Sequence, residues 1–110
     1  FVNKHKINVR TVDDVREGRL SDFLKTLPAF KGPTYISFDI DCLDPAYAPG
    51  TGTPVPGGLT TYETQRILRA LKIENLVGAD IVEICPAYDS SQITGLAGVD
   101  TMFELLCLMV

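Results

Sequence analysis

"TYISFDIDCLDP" occupies Thr34–Pro45. Its first seven residues are mostly β-branched or aromatic, the composition of a strand. Side chains alternate along a strand, so Tyr35, Ser37, Asp39 and Asp41 share one face while Ile36, Phe38 and Ile40 share the other. Asp39 and Asp41 then point the same way at the strand's carboxyl end. Open α/β sheets bind ligands in the crevice at such ends. Two neighbouring carboxylates beside a core repel each other unless a cation sits between them, and a hard divalent metal is the simplest relief. Asp44 lies past the strand and suits a cap on the turn before Pro45.

The flanking sequence sets that strand in an alternating order. "INVRTV" (Ile7–Val12) alternates apolar and polar residues and predicts a short strand. "TVDDVREGRLSDFLKTL" follows, with Thr11 and Asp14 as a capping box and Gly18 breaking the helix in two; Pro28 and "KGP" (Lys31–Pro33) end the region. Residues 41–59 are crowded with Pro and Gly and form a long loop, of a length that is usually functional in a compact domain. "TTYETQRILRAL" is a helix capped by Thr60 and Glu63. "LVGADIVEI" (Leu76–Ile84) is almost wholly apolar, as a strand covered on both faces would be, and Pro86 stops it. In "SSQITGLAGVDTMFELLCLMV" Leu96, Val99, Phe103 and Leu106 recur at helical spacing, and Gly95 and Gly98 suggest close packing on a neighbour. Three strands alternating with helices predict an α/β fold with a parallel sheet.

Composition narrows the function. The 110 residues are 45% hydrophobic and 22% charged, a globular balance. A net charge of −4 with Lys and Arg scattered argues against nucleic-acid binding. No apolar run is long enough to span a membrane, so "LLCLMV" reads as core or interface, and no signal peptide is expected. The chain starts at Phe1 rather than Met, which hints that something upstream was removed or never included. Cys42, Cys85 and Cys107 form no C-x-x-C pair and read as three buried free thiols in a reducing compartment, cytoplasm or an organelle matrix.

Several motifs compete for the D-x-D. An EF-hand counted from Asp39 needs Gly sixth and Glu twelfth, where Asp44 and Gly50 stand, so that reading fails. Aspartate-nucleophile phosphatases also carry D-x-D after an apolar strand, usually followed by Gly and then Thr or Val; here Cys42 and Leu43 follow. The longer stretch "SFDIDCLDPAYAPGTGTPVPGGLT" (Ser37–Thr60) closely resembles the second metal-binding signature of the ureohydrolases, the arginase and agmatinase family. "GADIVEICPAYD" (Gly78–Asp89) resembles that family's next strand and "SSQITGLAG" its last helix. "APGTGTP" and "PAYD" lean toward the agmatinase-like branch.

This resemblance implies the last three strand–helix units of an arginase-like parallel-sheet α/β/α fold, with residues 1–110 the C-terminal portion of a single ureohydrolase domain. It implies metal-dependent hydrolysis of a linear guanidino compound, agmatine by preference, giving putrescine and urea in polyamine biosynthesis. A hydroxide activated by two manganese ions (Mn²⁺) would attack the guanidinium carbon, with urea released. Asp39 and Asp41 would be metal ligands, one of them bridging. Glu83 matches the acidic residue that grips the guanidinium, a task suited to a carboxylate facing a planar fork of N–H groups. Thr53 would orient Glu83 or the substrate. A homo-oligomer, trimer or hexamer, is the family's habit.

The family's upstream ligands, two histidines and a D-x-H-x-D set among them, have no match here. His5 is the sole histidine and lies between Lys4 and Lys6 in a polar segment. The isolated chain is therefore expected to be inactive, or to serve only in assembly.

Overall fold

Gly18 carries φ +104°, a left-handed value natural to glycine, and it separates two short helices. The computed structural model describes residues 1–110, and in it α1 spans Val12–Arg16 and α2 spans Leu20–Lys25. The capping box at Thr11 forms as its spacing predicts: the Asp14 N–H donates to Thr11 Oγ1 and the Thr11 N–H donates to Asp14 Oδ2. "INVRTV" forms no strand; residues 7–11 are irregular and exposed, with no neighbouring strand to complete a ladder. Of the three strands expected, two form.

Strand β1 (Ala29–Asp39) begins earlier than its composition suggests and runs through Pro33. Proline lacks the N–H that a regular ladder needs, and the register against the next strand shifts on either side of it, between Phe30 and Pro33 and between Thr34 and Tyr35. Helix α3 (Thr61–Ala70) starts on the expected Thr60–Glu63 capping box. Strand β2 (Lys72–Val82) pairs with β1 in parallel, matching Tyr35 to Gly78, Ser37 to Asp80 and Asp39 to Val82. It is not covered throughout, as Val77 and Val82 are exposed. Helix α4 (Ile93–Cys107) follows a single 3₁₀ turn. The result is an α/β fold on a parallel sheet.

The core lies at the carboxyl end of the sheet. Ile40, Leu43, Ala48 and Ala97 are buried together, with Phe38, Cys42, Leu59 and Ile84 packed against them. Helix α4 meets this core with its small residues: Thr94, Ala97, Gly98 and Thr101 are buried, and a methyl group at Gly98 would come within 2.5 Å of Ile84. Leu96, Val99, Phe103 and Leu106, the stripe read as the apolar face, are instead 68, 69, 63 and 55% exposed. Close approach at Gly98 and the burial of Leu105 further along set the inner side of α4, so the stripe lies on the opposite side. The cysteines are free, yet Cys107 is exposed and Cys42 and Cys85 are half-buried. No helix is long and apolar enough to cross a membrane.

Candidate functional site

Strand β1 ends at Asp39, and the chain turns at once into a 3₁₀ turn over Ile40–Cys42. Asp41 therefore sits in the turn, where strand alternation no longer sets its direction. The Asp41 N–H donates to Asp39 Oδ1 at 3.2 Å, so Asp39 caps this turn and keeps the two carboxylates adjacent. Asp39 is exposed and Asp41 half-buried. Between them, burial and then the charges of Asp39 and Asp41 push the Cys42 thiol up to about 11.

Residues 43–59 are an ordered loop closed at its base. Leu43 and Leu59 form a parallel bridge, with the Asp44 N–H donating to the Leu59 carbonyl and the Leu59 N–H to that of Cys42. A side chain at Gly58 would come within 2.6 Å of the Leu43–Asp44 backbone, so only glycine admits this approach. Asp44 caps the turn as its position suggested: its carboxylate accepts from the N–H groups of Ala46 and Gly57, which hold it below the usual carboxylate range. Arg16 reaches over from α1, donating to the carbonyls of Gly57 and Gly58 and to the Glu63 carboxylate. That hydrogen bond from Arg16 lowers the pKa of Glu63.

The middle of the loop is fixed at Gly50. Its N–H donates to Thr94 Oγ1 at 2.7 Å, and its carbonyl accepts from the Cys85 N–H at 2.8 Å. Any side chain at Gly50 would overlap the Asp89 side chain. Asp89 is itself buried and accepts from the Thr94 and Gly95 N–H groups at the start of α4. It does the work of an N-cap, because the cap residue Gln92 is left-handed and makes no side-chain bond. Burial works to raise the Asp89 pKa, but the hydrogen bonds from Gly95 and Thr94 outweigh it, and the net shift is downward. Three residues past Gly50, Thr53 Oγ1 donates to Asp41 Oδ2 at 2.7 Å. The expected partners of Thr53 were Glu83 or substrate; its observed partner is Asp41.

Glu83 follows directly on Val82, the register partner of Asp39, so it leaves β2 beside the paired aspartates. Its φ is +65°, a left-handed value that costs a non-glycine residue about 1–2 kcal/mol. Such strain gathers at functional sites. Asp80 of β2, the register partner of Ser37, is a further carboxylate near the strand end: it accepts from Tyr35 Oη at 2.8 Å and from Ser37 Oγ at 2.7 Å, which raises the Tyr35 pKa. Gly78 makes room for the Tyr35 ring. Asp80, Asp89 and Arg16 escaped notice in the sequence. Asp80 was legible in principle, by alternation from Gly78 along "GADIV". Asp89 caps from too far upstream for a cap pattern, and Arg16 acts across 41–47 residues.

Chemically, Asp39 Oδ2 and Asp41 Oδ1 accept no hydrogen bond from the chain. Hard carboxylate oxygens left free in this way suit a divalent ion as part of its ligand set. No group of three or more His, Cys, Asp or Glu side chains stands together as a complete set.

The model of the arginase family matches residues 1–108. An agmatinase of Photorhabdus laumondii is 52% identical over 103 residues, 94% of this chain and 32% of the relative. A guanidinopropionase of Pseudomonas aeruginosa is 56% identical over 78 residues, 71% of this chain and 24% of the relative. Among solved structures, that of a hypothetical agmatinase from Burkholderia thailandensis superposes with a TM-score of 0.79 at 46% identity, covering 93% of this chain and 33% of that one. The chain thus spans about a third of the length of these relatives or less.

Proposed function

The chain belongs to the arginase family, and from that premise we propose that it is the C-terminal portion of a single ureohydrolase domain whose enzyme hydrolyses a linear guanidino compound, agmatine by preference, to an amine and urea. The parallel register carries this reading. It brings Glu83 out of β2 beside Asp39 and Asp41, in a strained backbone conformation. Asp39 and Asp41 would hold manganese, which when bound supplies a nucleophile at neutral pH. The Glu83 carboxylate would accept paired N–H groups from the guanidinium and fix its carbon for attack.

The likeness to a guanidinopropionase supports acid-tailed guanidino compounds as a second substrate class. An aspartate-nucleophile phosphatase has no support in the family match. His5, the sole histidine, stacks on Phe1 in the exposed N-terminal segment. The isolated 110 residues thus lack histidine ligands and release no urea. Further ligands come from the rest of that domain, and we place the enzyme, as a trimer or hexamer, in the cytoplasm or an organelle matrix.

The test is urea release from agmatine and bound manganese per chain in the full-length protein. Glu83→Gln should keep the metal and lose about 100-fold in kcat/KM, the scale of removing one partner of a hydrogen-bonded charge pair that forms with the bound substrate. Asp41→Asn should lose metal. Wild-type urea release from both variants would overturn the proposal.

A further inference from the structure

The Thr53 hydroxyl has one proton to donate, and the structure commits it to Asp41 at 2.7 Å. That choice is built into the fold. Pro54 follows Thr53 and biases it toward an extended backbone. Three residues earlier the loop is clamped at Gly50 by Thr94 and Cys85, so Thr53 reaches Asp41 from a fixed base. Asp41 needs such a partner. It sits in a 3₁₀ turn rather than on the strand, and nothing else in the chain bonds its side chain. Asp44, the neighbouring carboxylate, already accepts from Ala46 and Gly57 and so is bound to the loop.

We propose that Thr53 is a positioning residue for Asp41: by holding Oδ2 it sets the direction of Oδ1 toward the metal, and it governs manganese affinity rather than substrate binding. This rests on Asp41 being a metal ligand. Partners that orient ligands in this way typically change metal affinity 10–100-fold when removed.

The experiment is Mn²⁺ titration of the metal-stripped full-length protein, following free Mn²⁺ by its electron paramagnetic resonance signal. Thr53→Val should bind manganese at least about 10-fold more weakly. Thr53→Ser, which keeps the hydroxyl, should restore wild-type affinity. With manganese saturating, KM for agmatine should be unchanged in both. Wild-type metal affinity in Thr53→Val with a raised KM would overturn the proposal in favour of a substrate contact. Failure of Thr53→Ser to rescue would overturn it as well. Asp41→Asn separates the two layers. If it weakens manganese binding while Thr53→Val does not, only the role of Thr53 falls; if it leaves binding intact, the ligand assignment falls and this inference with it.

Discussion

Between Leu43 and Leu59 the chain has no regular secondary structure, yet Leu43, Ala48 and Thr51 are almost wholly buried and Ile40 just before them is fully so. Along α4 the helix is regular, yet Leu96, Val99, Phe103 and Leu106 lie bare. The difference lies in what each region is bonded to. Charged and polar side chains tie the loop at its base, its middle and its far arm: Asp44 to Gly57, Thr94 to Gly50, Arg16 to Gly57 and Gly58. Helix α4 is tied on one side only, by the Asp89 cap, the Gln65–Asp100 hydrogen bond and the Arg69–Glu104 ion pair. Regularity and order are thus separate properties in this molecule, and the candidate site stands in the irregular, better-tied part.

If the contrast is right, the largest loss comes from the loop side. Ile40→Ala should destabilise the chain by about 2–5 kcal/mol, the usual range for truncating a fully buried aliphatic side chain. The midpoint of urea unfolding reads this directly. A loss below about 1 kcal/mol would mean the core beneath the loop is loose, and the comparison would fail.

Acid should loosen the same ties. Glu63 is held below its ordinary 4.5 by Arg16 and Glu104 by Arg69, while backbone N–H groups hold Asp44 and Asp89 below the ordinary 3.8. Each of these groups binds protons more weakly folded than unfolded, so its contribution is complete above the unfolded values and fades as pH falls through the folded ones. The urea midpoint should stay level from pH 7 to about 5 and then drop toward pH 3. A flat profile across that range would mean these carboxylates hold neither the loop nor α4.

Phe103→Ser should do least, shifting the midpoint by no more than about 0.5 kcal/mol, because an exposed side chain has little burial to lose. Binding of an apolar dye should fall at the same time. A loss comparable to that of Ile40→Ala would show the α4 stripe covered after all.

Legibility in the sequence follows the reach of each interaction. The capping boxes at Thr11 and Thr60, the Gly18 break and the D-x-D are local patterns, and the structure contains all of them. The extent of β1 was less legible, because its pairing with β2 carries it back through Pro33. "INVRTV" has the alternation of a strand, but a strand exists only beside another. The buried side of α4 misled because bulk suggests burial, whereas close approach to Ile84 selects Gly98 and Ala97. At the site, chemistry and resemblance pointed to Asp39, Asp41, Glu83 and Thr53. The bond from Thr53 to Asp41 needed the path of the loop in space.

Position 83 is also where folding and chemistry ask for different amino acids. Its left-handed backbone suits glycine, while a carboxylate is what the proposed site uses. A library selected for stability alone would drift there to glycine, and a library selected for turnover would hold glutamate against that drift. The strain at Glu83 thus marks a place where the two selections can be told apart by sequencing the survivors.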